Sequence, residues 1–285
     1  MKKKYLLLLA LTTLVLGGGE LFVRSLGMVD FPLYDANALI GYIPAANQKG
    51  SFLNSHDWQF NEKHMGAGAF VTNAKPDVLL VGDSIVLGGN PLSEVERLGP
   101  QLAKVTSQSV WPISAGSWAL RNELAYLRAN PDVVNQIDAL VFVFNSGDFA
   151  EASSWKCEVT HPRNKPVLAL WYLFNKYAYS FYPCAVVPEG LQVPGGDVQL
   201  ELADFLKSTK LKPVFIIYPD KPEELNSELR NTHFAPILST LNTMGGNIVL
   251  VADDKRWSAD YYRDGIHPSG EGNRVLAEII ADAMK

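Results

Sequence analysis

The stretch Val78-Leu79-Leu80-Val81-Gly82-Asp83-Ser84-Ile85 is the strongest indication of the fold in this sequence. Its four consecutive apolar residues lie between Pro76 and Gly82, a pattern that is typical of a short strand buried on both faces of a parallel sheet. We predict that this strand ends at Ser84. Because ligands of open α/β sheets bind outside the carboxyl ends of the strands, a serine at this point faces the expected site.

The rest of the chain continues as an alternation of strands and helices. Apolar runs predict strands at 78–81, 110–113, 139–144, 214–218 and 248–251, and helical spacing predicts helices at 92–105, 122–128, 198–207, 223–244 and 270–284. Strands that are separated by helices form parallel sheets with helices on both faces. The predicted fold class is therefore α/β, a three-layer αβα arrangement around a doubly wound, flavodoxin-like sheet of five parallel strands.

A second polar cluster, Asp264-Gly265-Ile266-His267-Pro268, lies just before the last predicted helix, with Ser269 as a candidate N-cap. A serine hydroxyl is almost un-ionised at neutral pH. It attacks a carbonyl only if an imidazole removes its proton and a carboxylate orients that imidazole. Ser84, His267 and Asp264 supply these three groups, so we predict that they form a catalytic triad.

From about residue 77 to its C-terminus, the chain resembles the SGNH, or GDSL, family of esterases and lipases. The resemblance is strongest at Gly82-Asp83-Ser84-Ile85 and at Asp264-Gly265-Ile266-His267-Pro268-Ser269. The family's second block, Asn-x-Gly, is matched by Ser114-Ala115-Gly116, in which the glycine is kept and serine replaces asparagine. The resemblance implies an oxyanion hole that includes the backbone amides of Ser84 and Gly116.

The third block departs from the family pattern. Gly-x-Asn-Asp aligns on Asn145-Ser146-Gly147-Asp148, so Gly147 stands where the family has the asparagine that donates to the oxyanion. Losing such a donor costs about 2.7–4 kcal/mol of transition-state stabilisation, and a working enzyme should replace it. Asn145 is the nearest substitute. The alternative is that Asn145 only caps the turn after the strand.

The resemblance implies a serine esterase that cleaves acyl esters, above all acetyl esters, on a cell-envelope or exported carbohydrate. Three alternatives stay open: an O-acyltransferase to a polysaccharide with the same triad, hydrolysis of lipid or thioesters, and a non-catalytic carbohydrate-binding or scaffold protein of an envelope assembly. The formal charge of −5 gives no basic surface for nucleic acid. We expect no cofactor, because no dinucleotide or Walker motif occurs, and no metal, because the five histidines form no close pair.

Residues 1–29 have the form of a signal anchor or a signal peptide. Lys2-Lys3-Lys4 precedes the apolar run Tyr5 to Leu16, and a helix that continues through Gly17-Gly18-Gly19-Glu20 would reach Val23. Residues 5–23 would be just long enough to cross a bilayer, and the lysines would stay in the cytoplasm. We therefore expect an uncleaved anchor in the cytoplasmic (inner) membrane, with the domain in the periplasm or otherwise outside the cytoplasm. Cleavage after Gly19 is the alternative.

The remaining segments are a wrapping segment at 30–76 and an insertion at about 149–196 within the SGNH hydrolase domain of 77–285. The insertion follows a strand of the catalytic edge, so it is a candidate lid or substrate wall. Its aromatic residues are Trp155, Trp171, Tyr172, Phe174, Tyr177, Tyr179, Phe181 and Tyr182. These could contact sugar rings, fill the insertion's own core or touch the membrane. Cys157 and Cys184 predict one disulfide, with two free thiols as the alternative.

Overall fold

The structure is a computed structural model that describes residues 2–72, 74–179, 184 and 186–285, and its centre is a five-stranded parallel sheet. The strands are β1 (Tyr34–Asn37), β2 (Gly41–Pro44), β3 (Gln48–Phe52), β4 (His56–Phe60), β5 (Asp77–Gly82), β6 (Ser109–Ser114), β7 (Ala139–Phe144), β8 (Val214–Ile217) and β9 (Asn247–Leu250). The central sheet has the order β6-β5-β7-β8-β9. This is the doubly wound order that was predicted, with its switch point beside β5.

Helices cover both faces of the sheet. The α-helices of the described residues are α1 (Lys2–Ser25), α2 (Ser84–Leu87), α3 (Leu98–Thr106), α4 (Leu120–Ala129), α5 (Pro131–Val134), α6 (Ala169–Leu173), α7 (Val198–Ser208), α8 (Lys221–Leu225), α9 (Ser227–Met244) and α10 (Gly270–Ala283). The apolar core of one face joins the sheet to α3 and α10, and that of the other joins it to α4, α7 and α9. The α/β three-layer prediction is confirmed.

The strand that was predicted to end at Ser84 is β5. This prediction is wrong by two residues, because β5 ends at Gly82 and Ser84 is the first residue of α2. The carboxylate of Asp83 accepts a hydrogen bond from the Ile85 amide and so caps the short helix. A Cβ at position 82 would lie 2.6 Å from the Val86 side chain. Glycine therefore lets α2 fold directly onto the sheet and fixes where Ser84 stands.

Several other boundaries also differ from the predictions. The helix expected at 92–105 is a 3₁₀ turn, Glu94–Glu96, followed by α3. The helix expected at 223–244 is divided into α8 and α9, because the Asn226 side chain accepts from the amides of Glu228 and Leu229 and starts a new helix. The strands expected at 214–218 and 248–251 each end one residue earlier, at Ile217 and Leu250.

The segment 30–76 contains two antiparallel hairpins, β1–β2 and β3–β4, which the sequence did not predict. Their strands have only four or five residues, too few to show a clear period. The segment packs beside α4: the Trp118 indole donates to the Tyr42 carbonyl at 2.6 Å, and the Tyr126 hydroxyl donates to the Lys63 carbonyl at 2.7 Å. It therefore covers one side of the domain near the carboxyl edge of the sheet.

The insertion is held by a disulfide between Cys157 and Cys184, whose Cα atoms are 5.5 Å apart. The predicted pairing is confirmed and the free-thiol alternative is wrong. Within the insertion, α6 continues into a π-helical turn, Phe174–Ala178. Phe181 and Tyr182 lie outside the described residues, so what was expected of these two aromatic residues stays a prediction.

Candidate active site

Ser84, His267 and Asp264 meet at the carboxyl edge of the sheet. The Ser84 Oγ lies 3.0 Å from the Nε2 of His267, although 183 positions separate the two residues. The Nδ1 of His267 lies 2.9 Å from the Oδ2 and 3.0 Å from the Oδ1 of Asp264. The structure thus brings together all three residues that the sequence predicted, in hydrogen-bonding order.

The turn that carries His267 is built from its own backbone. The Oδ1 of Asp264 accepts from the amides of Ile266 and His267 at 3.0 and 2.8 Å. The Tyr218 hydroxyl donates to the Ile266 carbonyl from the end of β8. Ser269 caps α10 as predicted, by accepting from the Gly272 amide. The turn therefore points the imidazole at Ser84 before any ligand is present.

These contacts also set the charge of the acid. Burial opposes ionisation of Asp264, but the backbone amides of His267 and Ile266 and the imidazole outweigh it and lower its pKa to about 2. A carboxylate can only accept, so the His267 Nδ1 carries the proton that it donates to Asp264. The Nε2 lone pair is then free to accept the Ser84 proton. Arg263 Nε, 3.6 Å from Asp264 Oδ2, is a cationic neighbour of the carboxylate.

Asn145 lies beneath the serine, at the end of β7. Its Nδ2 donates to the Oδ2 of Asp83 at 3.1 Å, and that same oxygen lies 3.3 Å from the Ser84 Oγ. Its Oδ1 accepts from the Gly147 amide at 2.7 Å. Asn145 is buried and lines the cleft, so the amide group is fixed next to Ser84 by contacts on both sides.

The glycine at position 147 is explained by the same contacts. A Cβ there would lie 3.0 Å from the Oδ1 of Asn145, closer than side-chain atoms normally approach. Glycine at position 147 therefore leaves room for the side-chain oxygen of Asn145, which accepts from the Gly147 amide.

A group of buried acids lies behind the serine. Burial raises the pKa of Asp83, Glu123 and Asp148, and their mutual repulsion raises the pKa of Glu123 and Asp148 further. Neither carboxyl oxygen of Glu123 has a hydrogen-bond partner among the described residues. Burial and mutual repulsion thus both favour the neutral forms of Glu123 and Asp148.

Ser84 and His267 open into a cleft of about 690 Å³. Gly116, the matched residue of the second block, lies on its wall, and its carbonyl accepts from the Tyr42 hydroxyl at 2.7 Å. Aromatic side chains line the cleft together with polar ones: Tyr34, Phe52, Trp118 and Tyr177, with Asn90, Thr160, Lys176 and Arg263. The cleft thus offers both flat apolar faces and hydrogen-bonding groups.

Sequence reasoning missed His161, which comes from the insertion and lines the same cleft. Its ring stacks on Tyr42, with centroids 3.9 Å apart, and burial lowers its pKa to about 4. It is therefore a neutral imidazole beside Gly116. No spacing connects His161 to Ser84 in the sequence. The only signal was its place in an insertion that leaves the catalytic edge of the sheet.

Residues of the insertion lie in different surroundings. Lys176, Tyr177 and His161 contribute to the cleft wall. Trp155 and Tyr172 are buried in apolar clusters. Trp171 does neither, because more than half of its side chain is exposed. One face of the insertion thus lines the cleft, and another is exposed on the surface of the protein.

The solved structures that match this chain include the following three. An SGNH hydrolase of Slackia heliotrinireducens is 16% identical over 74% of this chain and all of its own, with a TM-score of 0.45. A lipolytic protein of the G-D-S-L family from Desulfitobacterium hafniense is 12% identical over 73% of this chain and 98% of its own, with a TM-score of 0.44. A carbohydrate acetylesterase family member from Sinorhizobium meliloti is 13% identical over 73% of this chain and 97% of its own, with a TM-score of 0.41.

No protein-family model matches the chain, and no curated protein matches it by sequence. The TM-scores of these solved structures are below 0.5. The chemistry of the site is therefore inferred from the distances among Ser84, His267 and Asp264 alone. The chain is similar to SGNH hydrolases and to carbohydrate esterases.

Proposed function

We propose that this protein is a serine esterase that removes acyl groups, above all acetyl groups, from carbohydrate esters outside the cytoplasm. One observation carries the proposal: the Ser84 Oγ, the His267 imidazole and the Asp264 carboxylate are joined by contacts of 3.0 and 2.9 Å at the base of an open cleft. A binding or scaffold protein has no use for a nucleophile that is aligned with a base and an acid.

The reaction follows from the protonation states of the three side chains. The His267 Nε2 takes the Ser84 proton as Oγ attacks the ester carbonyl, and the imidazolium that forms is stabilised by Asp264. Collapse of the tetrahedral intermediate breaks the bond to the alcohol oxygen, which receives the proton from His267. The acyl group is then bound to Ser84 Oγ. Water attacks this acyl-enzyme with the same base and releases the carboxylic acid.

The proposed oxyanion hole consists of the backbone amides of Ser84 and Gly116 and the side-chain amide of Asn145. The fixed position of Asn145 beside Ser84 supports its role, because a donor that is already in place needs no reorganisation in the transition state.

The carbohydrate part of the proposal is supported by the lining of the cleft. Sugar rings present apolar faces to aromatic side chains and hydroxyl groups to polar ones, and both kinds surround Ser84. The cleft volume lies in the range of small-molecule sites. It is open to solvent on one side, so an ester on a longer glycan could enter without the whole polymer being enclosed.

The N-terminal helix supports a location at the membrane. Residues Lys3–Ser25 form the candidate span of the described chain, long and apolar enough to cross a bilayer, and none of its apolar window is buried in the protein. Membrane fractionation, protease accessibility in spheroplasts and the mass of the N-terminal peptide together test the anchor. A soluble cytoplasmic protein with an intact N-terminus would contradict it.

The chemical proposal is tested by incubating the full chain with 4-nitrophenyl acetate and measuring its intact mass after rapid quenching. We expect one acetyl group on Ser84 and its release as acetate. Adding an oligosaccharide distinguishes the two outcomes of the acyl-enzyme: free acetate indicates an esterase, and an acetylated glycan indicates an O-acyltransferase. Absence of any acyl-enzyme and of turnover, in protein that remains folded, would favour a binding role.

A further inference from the structure

The end of the N-terminal helix is fixed to the insertion. The two carboxylate oxygens of Glu20 accept from the amides of Ala169 and Leu170 at 2.8 and 3.0 Å. Arg24 bonds Glu20 at 2.7 Å and donates through Nη2 to the carbonyls of Pro166 and Val167. An acidic side chain at the end of an apolar helix is costly unless it is paired. The contact compensates Glu20 and holds α6 beside the last turns of α1.

The length of α1 gives the level at which this contact lies. The apolar run from Tyr5 to Val23 has 19 residues, which at 1.5 Å per residue is roughly 28 Å, close to the thickness of a bilayer's hydrocarbon core. If the lysines mark the cytoplasmic end, Glu20 and Arg24 lie where the helix leaves the hydrocarbon on the far side. Because α6 packs against these residues, α6 lies at the outer interface of the membrane.

The outer surface of this part of the insertion is apolar and aromatic. We define the aromatic ridge as Val167, Leu168, Trp171, Phe174 and Tyr177, all of which are exposed. The rings of Trp171 and Phe174 stack with centroids 5.9 Å apart. Beside the ridge is a groove of about 510 Å³ with mostly apolar walls. Exposed patches of this kind mark interaction sites on proteins.

We propose that the aromatic ridge lies in the outer interfacial layer of the same bilayer that α1 spans. Tryptophan and tyrosine are enriched at this level of membranes, because their rings are apolar and their polar groups contact water and headgroups. The ridge adjoins α1, because Arg24 donates to the Val167 carbonyl, and Leu21 and Phe22 of α1 are exposed apolar residues as well. This proximity to α1 favours lipid over a protein partner as the occupant.

The consequence for the catalytic domain is a defined orientation. Tyr177 belongs to the ridge and also lines the cleft, together with its neighbour Lys176. One wall of the cleft therefore borders the membrane surface. The inference depends on the proposed membrane anchor, but not on the proposed esterase chemistry.

The tryptophans make this orientation measurable. Of the six, Trp171 is 56% exposed, whereas Trp58, Trp111, Trp118, Trp155 and Trp257 are each at most 8% exposed. The full chain is reconstituted into phosphatidylcholine vesicles with brominated or unbrominated acyl chains, and insertion is checked by sedimentation in alkaline carbonate. Bromine quenches only indoles that it can contact, so we expect the wild-type emission to fall in brominated vesicles and W171F to lose that quenchable fraction.

A matched control moves the exposed indole to the other side of the domain. Val105, at the end of α3 and 40% exposed, lies at the amino edge of the sheet, opposite the edge from which the insertion leaves. In the double variant W171F/V105W we expect no quenching. An inserted wild-type chain that is equally bright in both vesicles would overturn the inference and indicate that something other than lipid covers the ridge. Failure of the chain to insert would overturn both the inference and the proposed anchor.

Ester hydrolysis measured in the same vesicles separates the two proposals. We expect W171F to keep its turnover of 4-nitrophenyl acetate, because Trp171 does not line the cleft. Quenching without hydrolysis would refute the proposed function and leave the orientation standing. Hydrolysis without quenching would do the reverse.

Discussion

Replacing Asn145 with alanine tests the proposed exchange of oxyanion donors. The Nδ2 group has two hydrogens. One donates to Asp83, and the other is the proposed donor to the oxyanion of the substrate. Removing one donor of this kind costs about 2.7–4 kcal/mol in the transition state, so we expect kcat to fall by about 10²–10³ with little change in KM.

The same substitution has a predictable effect on stability. Alanine leaves the Gly147 amide and the Asp83 carboxyl each without one buried partner, which should lower the free energy of unfolding by about 1–3 kcal/mol. Urea unfolding measures this separately from the kinetics. Stopped or continuous assays with 4-nitrophenyl acetate give kcat and KM at a temperature where both proteins are folded.

Ser114→Ala is the matched control for Asn145→Ala. Ser114 is buried at the end of β6, on the same edge of the sheet, but does not line the cleft. We expect its kcat to stay near the wild-type value. An Asn145→Ala enzyme with unchanged kcat, or one whose loss appears only in KM, would refute the oxyanion role and leave the backbone amides as the donors.

Five further results are expected. Ser84→Ala should abolish acyl-enzyme formation and turnover while changing the free energy of unfolding by only about 1 kcal/mol; residual acylation at wild-type rates would contradict the assigned nucleophile. Gly147→Ala should lower kcat, because its Cβ would press on the Asn145 Oδ1 at 3.0 Å, and this loss should vanish in the Asn145→Ala background. Asp264→Asn should lower kcat by about 10⁴, since the imidazole loses the acceptor that fixes its tautomer. The pKa of Asp264 is lowered from the ordinary value of 3.8 to about 2, so its ionised carboxylate stabilises the fold at pH values above 3.8. This contribution is lost as the pH falls towards 2, so acid titration of unfolding should show the wild-type and Asp264→Asn proteins converging there. Reduction of Cys157–Cys184, which closes a loop with a sequence separation of 27, should destabilise the insertion by about 3.6 kcal/mol in the chain-entropy model; equal urea midpoints with and without reductant would contradict it.

The sequence alone predicted the parts of this protein that depend on local patterns. The apolar run before Gly82 predicted a buried strand, because a strand covered on both faces must be continuously apolar. The alternation of such runs with helical spacing predicted the three-layer sheet. The order of Ser84, Asp264 and His267 predicted which groups meet, since the carboxyl ends of parallel strands and the turns that follow them share one edge.

Helix and strand boundaries were predicted less well, because they depend on side-chain contacts with the backbone. Asp83 caps α2 and ends the strand before Ser84. Asn226 caps α9 and divides a segment whose apolar spacing indicates one helix. The two hairpins of 30–76 are short, and their stability comes from packing beside α4. No period in so few residues distinguishes them from loops.

Only the tertiary structure decided the long-range neighbours of the site and of the anchor. His161 reaches the cleft through an insertion, and its distance from Ser84 along the chain contains no spacing signal. The sequence identified Asn145 as a candidate, but its position depends on contacts with Asp83 and Gly147. Glu20 meets α6 about 150 positions away, so the relation between the apolar helix and the aromatic insertion is set by a contact that folding alone creates.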